Sequence, residues 1–406
     1  MKIDPLEIIT NLQNIIPTYD PFFSAEERKI VGYEVIGKFV KNHIALDIDA
    51  FLMDQQVPEE YRLEAYHHLL KVAIDHYLQD HQTGFLAIRI DPEILLYDDK
   101  EYLLQMILEK EKLGINPSQI VLILPEENLK GIEGTIEHCV QYIKTFGIKI
   151  SIENGESSGV RLERIAPLSP HFIRINLSSL KSLSQSIGMD ETLHALSSFA
   201  RKTGATLMFD KIEMEYQLRI AWKNGGRFLQ GPYLSGASPI FDQHPERVEQ
   251  LKNDLSRFIT YEKRKLEALY RLEQTLNQDL QAVLEKGRIL SGWDAIIEEA
   301  SKVLGQRAFR VYICDENGYQ VSANLLRSGT GWSKQVEYIH KNWSWRPYFL
   351  ENVFKMNVLK QGLLSDLYSD IDTGELIRTF SIPINSEYFM FIDLSYSYLY
   401  EEENLL

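Results

Sequence analysis

The strongest constraint on the fold is a regular alternation of strand-like and helix-like segments over the first 240 residues. Strand-like runs rich in β-branched and aromatic residues occur at Ile30–Ile36, Phe85–Ile90, Ile120–Leu124, Ile148–Ile152, Phe172–Ile175, Thr206–Phe209 and Phe228–Gln230. Helix-like segments between them are Glu59–Leu78, Glu101–Lys112, Ile132–Thr145 and Glu191–Lys202. This alternation predicts a parallel sheet, and seven or eight units favour a closed α/β barrel. No glycine-rich phosphate loop follows the first run, which counts against an open, doubly wound sheet.

Residues 243–289 predict one long amphipathic helix. The segment Arg247–Arg288 contains no proline, and its first glycine is Gly287. Apolar residues recur mostly every three or four positions from Leu251 to Val283, with charged residues between them. The helix either connects two domains and pairs with its copy in a dimer, or packs along its own barrel.

Residues 290–406 predict an α+β domain. A helix at Trp293–Leu304 precedes strand-like runs at Phe309–Cys314, Gln320–Ala323, Gly362–Leu364, Ile377–Pro383 and Tyr388–Asp393. A chain of 406 residues is longer than one hydrophobic core usually serves. We therefore expect a barrel over residues 1–242, a connecting helix over 243–289 and a third domain over 290–406.

Charge and composition exclude several classes of function. The chain has 43 Lys and Arg against 58 Asp and Glu, a formal charge of −15, so a nucleic acid polymer is not an expected partner. Two cysteines form neither a disulfide framework nor a cysteine-based zinc site. Residues Met1–Thr10 do not have the pattern of a signal peptide, and we find no apolar stretch long enough to cross a bilayer. These features predict a cytoplasmic protein with no membrane partner.

Acidic and amide side chains occur where the predicted strands end. In a parallel barrel such positions face the C-terminal mouth, where active sites are built. Oxygen ligands gathered there would suit Mg²⁺ or Mn²⁺ and phosphodiester hydrolysis. The positions are Glu34, Glu126, Glu153, Asn154, Asp210, Glu213 and Gln230.

Four segments in order resemble the motifs of EAL domains, the bacterial cyclic di-GMP phosphodiesterases. They are Gly32–Ile36, Gly147–Asn154, Leu162–Asn176 and Gly225–Leu234. The resemblance covers roughly residues 20–240 and implies the modified TIM barrel of that family. It also implies that the acidic and amide positions form the remnant of its catalytic pocket.

The departures from the family pattern predict that this pocket is catalytically inactive. The resemblance places Arg89 at a metal-binding asparagine and Ile123 at a ligand glutamate. It also places Glu153 and Asn154 at the paired aspartates, and Arg174 at the lysine. Isoleucine offers no oxygen ligand, and arginine remains protonated. We therefore expect no metal and no cofactor.

The charge of Arg89 needs a partner if the side chain faces inward, and we expect an ion pair with Glu34 or Asp210.

Three hypotheses about the function stay open. The chain is an inactive signalling protein that binds a ligand or a protein, an active divergent phosphodiesterase using Mg²⁺ or Mn²⁺, or a scaffold that binds no nucleotide. Binding of cyclic di-GMP without hydrolysis is a separate question. We favour the inactive signalling protein.

An aromatic segment near residue 345 marks a second candidate site. Its sequence Trp-Arg-Pro-Tyr-Phe resembles a motif of Cache-type PAS sensor domains, which implies a small-ligand pocket formed by Trp345, Arg346, Tyr348 and Asp393. The guanidinium group of Arg346 would bind a carboxylate. Alternatively, these aromatic residues are simply core.

The order of barrel, long helix and C-terminal domain resembles the YkuI-type EAL proteins. This resemblance implies a homodimer, and the long helix and the C-terminal domain are the expected contact.

Overall fold

The computed structural model describes residues 4–98, 101–154, 161–178, 188–287, 292–329, 331–346, 349–402 and 405. The chain divides into two compact units, residues 1–258 and 259–406. No helix in these described ranges is long and apolar enough to span a membrane.

The first unit contains a closed eight-stranded barrel. Its strands are β1 (Ile15–Ser24), β2 (Ile30–Lys41), β4 (Phe85–Arg89), β5 (Ile120–Pro125), β6 (Lys149–Glu153), β7 (Phe172–Asn176), β8 (Thr206–Asp210) and β9 (Gly226–Leu229). Neighbours from β2 to β9 are parallel, and β1 closes the ring by pairing antiparallel with both β2 and β9. The short strand β3 (Ile44–Asp47) forms a hairpin with β2 outside the ring. The barrel predicted from the sequence is confirmed.

Helices follow the strands and bury apolar side chains against the barrel. They are α1 (Pro5–Thr10), α2 (Asp49–Leu52), α3 (Glu59–Gln79), α4 (Pro92–Tyr97), α5 (Tyr102–Glu111), α6 (Glu133–Thr145), α7 (Leu162–Leu168), α8 (Gly188–Thr203), α9 (Glu215–Lys223) and α10 (Pro245–Gly287). The longest of these apart from α10 is α3. Its side chains Ala65, Leu69 and Ala73 are buried at helical spacing.

Strand β1 is absent from the sequence-based prediction. It contains Pro17 and Pro21, and proline is normally confined to strand edges and bulges because it lacks an N–H donor. In the barrel, Pro17 lies opposite Gly37 and Pro21 opposite Tyr33. The two prolines made this segment look like a loop, although its burial alternates as in a strand.

The barrel interior has an apolar layer and a charged layer. Because side chains alternate across a strand, residues two apart point to the same face. Thus Ala87 is followed by Arg89, Phe172 by Arg174, and Met208 by Asp210. The apolar layer consists of Phe22, Ala87, Val121, Ile123, Phe172, Met208 and Phe228. Ile123 also packs in this apolar cluster, although it is in register with Arg89 on β4.

The second unit is an α+β domain, as predicted. Beyond the end of α10 it contains α11 (Trp293–Leu304), β10 (Ala308–Asp315), β11 (Asn324–Ser328), β12 (Gly331–Gln335), α12 (Phe349–Leu359), β13 (Leu363–Leu364), β14 (Tyr368–Ser369), β15 (Leu376–Pro383), β16 (Tyr388–Leu394) and α13 (Tyr396–Glu401). The antiparallel sheet runs in the order β12-β11-β10-β16-β15-β13, and β14 pairs with β15. The similarity to PAS or Cache domains stays a prediction.

Helix α10 is a single helix whose apolar stripe is covered within the chain. Leu251, Leu255 and Phe258 lie in the core of the first unit. Leu276 and Leu280 lie in the core of the second unit, together with α11 and one face of the sheet. The two ends of the stripe therefore have intramolecular partners, whereas Leu266 between them is 65% exposed, and pairing of this helix with its copy stays a prediction.

Two substitutions on α10 test this packing. Leu276 is 0% exposed, so Leu276→Ala should lower the free energy of unfolding by about 2–5 kcal/mol. Leu266 is 65% exposed, so the matched control Leu266→Ala should change it by less than about 0.5 kcal/mol. Denaturant unfolding of the full chain measures both, and equal effects would contradict the assignment.

Candidate functional site

A cavity of about 580 Å³ opens at the C-terminal ends of the barrel strands. Its size lies within the range of small-molecule sites. Charged and amide side chains line it, including Asp20, Glu34, Asp49, Arg89, Glu153, Asn154, Arg174, Asn176, Asp210 and Lys211. The site is where the sequence predicted a remnant catalytic pocket.

Arg174 is the central residue of this cavity. Its Nη2 donates to Glu34 Oε2 at 2.7 Å, to Asp210 Oδ2 at 2.7 Å and to Gln230 Oε1 at 3.1 Å. The residue is 3% exposed, and its guanidinium carbon lies 5.8 Å from the centre of the Phe22 ring. Burial acts to lower the pKa of Arg174. The carboxylates of Asp210 and Glu34 outweigh burial and raise that pKa well above its ordinary value.

Arg89 forms a second cluster nearer to the mouth. Its Nε donates to Glu153 Oε2 at 2.6 Å, and its Nη1 donates to Asp49 Oδ2 at 2.7 Å. The expected partners of Arg89 were Glu34 or Asp210, and this pairing was wrong because Arg174 binds both. Glu34 is in register with Ala87, so Arg89 lies two residues farther along β4, closer to the rim.

These contacts leave little room for a resident divalent cation. Such an ion binds carboxylate oxygens at about 2.0–2.6 Å, whereas one nitrogen of Arg174 already lies 2.7 Å from both Glu34 and Asp210. Within the described ranges, no group of three or more His, Cys, Asp and Glu side chains is placed to hold a metal. The residues present therefore do not fit a two-metal site.

The structure brings most of the predicted pocket residues together. Glu34, Arg89, Glu153, Asn154, Arg174 and Asp210 line the cavity, and Gln230 contacts it through Arg174. Glu126 does not join them, because it is 1% exposed and its Oε1 accepts from Arg164 Nη1 of α7 at 2.9 Å. Glu213 also lies outside the lining, exposed after β8. The residues 155–160 of the loop after β6 lie outside the described residues.

Sequence reasoning missed Asp20 and Asp49. Asp20 lies opposite Glu34 on β1, the strand hidden by its prolines, and Asp49 begins α2 just after the β2–β3 hairpin. Burial, together with the neighbouring charges of Glu34 and Asp210, raises the pKa of Asp20 to about 7. Only the pairing of β1 with β2 identifies Asp20 as a pocket residue.

The structure describes three of the four candidates of the C-terminal domain, Trp345, Arg346 and Asp393. Trp345 is 63% exposed, and Tyr348 lies outside the described residues. The guanidinium carbon of Arg346 lies 4.7 Å from the ring centre of Trp343, which itself donates to Gln320 Oε1. The same carbon lies 5.8 Å from the ring centre of Trp345, so Trp343 is the nearer of two aromatic partners of this arginine.

Asp393 is already engaged within the domain. It is 0% exposed, accepts from Thr379 Oγ1 at 2.6 Å and pairs with Arg310 Nη1 at 3.0 Å. Arg310 also binds Asp370 through both of its terminal nitrogens, at 2.9 and 3.0 Å. Burial raises the pKa of Asp393, while the charges of Arg310 and Arg346 oppose the rise. Asp393 therefore serves a buried ion cluster rather than an open ligand site.

Two family models match the chain. The EAL domain matches residues 7–237, and the EAL-domain associated signalling protein domain matches residues 243–406. Over the full length of both chains, the sequence is 41% identical to an uncharacterised EAL-domain containing protein, YkuI of Bacillus subtilis strain 168.

Solved structures agree with this match. The crystal structure of Bacillus subtilis YkuI, in complex with cyclic di-GMP as substrate and calcium, covers the whole of both chains. Its TM-score is 0.91 and its sequence identity 39%. The FimX EAL domain of Pseudomonas aeruginosa, bound to cyclic di-GMP, matches 59% of this chain and 99% of its own. Its TM-score is 0.51 and its identity 18%, which supports the barrel fold alone.

The raised pKa of Asp20 predicts a pH-dependent stability. In the unfolded chain this carboxyl titrates near pH 3.9, whereas in the folded chain its pKa is about 7. Between these values the folded state binds more protons, so Asp20 makes the free energy of unfolding fall as pH rises. The Tm of Asp20→Asn minus the Tm of the wild-type chain should therefore be larger at pH 8 than at pH 5.

Thermal unfolding of both chains at the two pH values measures this difference. Glu127→Gln removes an exposed carboxylate at the rim of the same cavity and is the matched control. A difference between Asp20→Asn and the wild-type chain that does not depend on pH would contradict the prediction.

Proposed function

We propose that this chain, which belongs to the EAL-domain family, is a signalling protein that binds cyclic di-GMP in the barrel cavity without hydrolysing it. The observation that carries the proposal is the position of Arg174, whose Nη2 lies 2.7 Å from both Glu34 and Asp210 inside a cavity of about 580 Å³. The cavity is retained, but the oxygen ligands that would hold catalytic cations are bound to arginine.

The binding part of the proposal rests on the cavity and on the Bacillus subtilis relative. That protein was crystallised with cyclic di-GMP, and it matches this chain over its full length. In this chain the cavity at the barrel mouth is lined by the cationic side chains Arg89, Arg174 and Lys211 together with seven Asp and Glu side chains. A dianionic dinucleotide is a suitable ligand for arginine side chains, which bind phosphate through two parallel hydrogen bonds.

The inactive part of the proposal rests on several losses at once. Arg174 remains protonated and cannot act as a general base, and Ile123 packs in the apolar cluster of the barrel interior. Arg89 places a second cation beside Glu153. Removal of a single catalytic group typically lowers the rate by orders of magnitude, and groups that act as a unit fail together.

Titration calorimetry and a hydrolysis assay on the full chain test the proposal. We expect saturable binding of cyclic di-GMP and no linear product in Mg²⁺ or Mn²⁺. Absence of binding would favour a scaffold that takes no nucleotide. Turnover that is lost on Glu34→Ala would instead identify an active divergent phosphodiesterase.

Restoring one ligand should not restore hydrolysis. Ile123→Glu supplies a carboxylate but leaves Arg89 and Arg174 in place, so we expect turnover to stay below detection in Mn²⁺. Ile123→Gln, with nearly the same shape and no charge, is the control for the structural effect of a polar group in the apolar layer. Steady turnover by Ile123→Glu alone would show that the arginines do not block the site.

We further propose that the chain forms a homodimer through α12. Phe349, Val353 and Met356 of this helix pack against the sheet. Its other side carries Leu350, Phe354 and Val358, which are 61%, 70% and 63% exposed and are spaced at i, i+4 and i+8. A helix that is apolar on two sides is normally buried on both, and an exposed stripe of this kind is typical of an interaction surface.

A second copy of the chain is the partner that fits this stripe. Glu351 and Lys355 form an ion pair on the same helix, so two antiparallel copies bring opposite charges together beside the stripe. The formal charge of −15 disfavours an anionic membrane surface as the occupant.

Light scattering on the full chain tests this interface. We expect the wild-type chain to have about twice its sequence mass and Phe354→Glu to be monomeric, because two buried carboxylates would face each other. Leu266→Glu, at an exposed position of α10, is the matched control and should stay dimeric. A monomeric wild-type chain, or a dimeric Phe354→Glu, would contradict the assignment.

A further inference from the structure

We infer that Arg174 and Arg89 replace the divalent cations of this cavity, so that cyclic di-GMP binds with its phosphates on guanidinium groups and requires no metal. The inference rests on the proposed function, because it concerns how the same site holds the same ligand. It separates this chain from the Bacillus subtilis relative, whose structure is a complex with cyclic di-GMP and calcium.

The first observation is a buried donor without an acceptor. Nη1 of Arg174 is inaccessible to solvent and has no hydrogen-bond partner among the described residues, although the side chain lines the cavity. A buried charged donor left without an acceptor is unfavourable by more than an ordinary hydrogen bond contributes. A phosphate oxygen entering the cavity would supply the missing acceptor.

A second unfilled polar atom lies on the neighbouring strand. Oδ1 of Asn154 is also buried without a hydrogen-bond partner in the part of the chain that the structure describes. Asn154 follows β6, and its backbone N–H donates to the carbonyl oxygen of Arg174 at 2.8 Å, so the two residues are adjacent in the cavity wall. One unfilled donor and one unfilled acceptor on adjacent strands of the same cavity wall indicate a site for a polar ligand.

Arg89 supplies the second cation within reach of a ligand. Its side chain is 26% exposed, and Asp49 and Glu153 hold it in place through Nη1 and Nε. Burial acts to lower the pKa of Arg89, but Glu153 and Asp49 outweigh it and raise that pKa above its ordinary value. The guanidinium is therefore charged at every physiological pH, as a metal substitute must be.

The occupied carboxylates, and not the net charge, explain why a metal would gain little here, since two guanidinium groups face four carboxylates. Arg174 is paired with Glu34 and Asp210, and Arg89 is paired with Glu153 and Asp49. A divalent cation would have to displace a guanidinium from these oxygens and leave it buried and unpaired. The carboxylates that cyclic di-GMP would approach, by contrast, are already paired with Arg89 or Arg174.

The decisive measurement uses the wild-type full chain. Cyclic di-GMP is titrated calorimetrically in EDTA and then in millimolar Ca²⁺ or Mg²⁺, and we expect dissociation constants that agree within about 3-fold. Binding that appears only with the metal would overturn the inference and leave the proposed function standing. Absence of binding under both conditions would overturn the proposed function and this inference with it.

Variants then assign the phosphate contacts. In EDTA, Arg89→Ala should weaken binding by about 10-fold or more, because a charge-assisted hydrogen bond is lost. Arg227→Ala is the matched control, since Arg227 lies on β9 with its side chain half exposed and paired with Glu26. Equal affinities for Arg89→Ala and Arg227→Ala would overturn the assignment of Arg89.

Arg174→Ala provides a readout that does not depend on the nucleotide. Removal of the guanidinium leaves Glu34 and Asp210 unpaired, so we expect Ca²⁺ to raise the Tm of this variant and to leave the Tm of the wild-type chain unchanged. A Ca²⁺-dependent rise in the wild-type chain would show that the arginines do not exclude a cation. The wild-type titration and Arg89→Ala decide the inference if Arg174→Ala does not fold.

Discussion

The buried charge of Arg174 determines the arrangement of the whole barrel mouth. A guanidinium that is 3% exposed requires nearby carboxylates, and it has them from the neighbouring strand β8 and from β2 across the ring. Once Glu34 and Asp210 are bound in this way, they are no longer available to a metal. Arg89 repeats the arrangement nearer to the solvent with Glu153 and Asp49. The cavity thus holds four carboxylates that are each paired with an arginine.

The layer beneath supports this arrangement. Aromatic and aliphatic side chains fill the lower barrel, and the Phe22 ring lies under the guanidinium of Arg174. This layer excludes water from one side of the ion cluster and so strengthens its electrostatic interactions. Ile123 extends the apolar layer at the position where the family pattern has a glutamate. The loss of a ligand and the gain of an apolar contact are therefore the same substitution.

The second unit shows how a helix can serve two cores. One apolar stripe on α10 contributes Leu255 to the first core and Leu280 to the second, and between these regions the helix exposes Leu266. The sheet of the second unit buries its two faces under different helices, α11 with α10 on one face and α12 on the other. On its side away from the sheet, α12 exposes the apolar side chains Leu350, Phe354 and Val358. This exposed stripe makes α12 a better candidate for self-association than the long helix.

Local patterns in the sequence determined the elements, and tertiary pairing decided the site. Alternating strands and helices predicted the barrel, and the order of four motifs predicted the EAL-like pocket with Arg174 in it, because both depend on residues close in the chain. The sequence could not assign the partners of Arg89 and Arg174, since these depend on strand register and on side-chain reach across the ring. Asp20 was hidden for the same reason: it joins the pocket only when β1 closes the barrel against β2. Likewise, the stripe of α10 is visible in the sequence, but only the packed structure shows that both of its ends are covered within one chain.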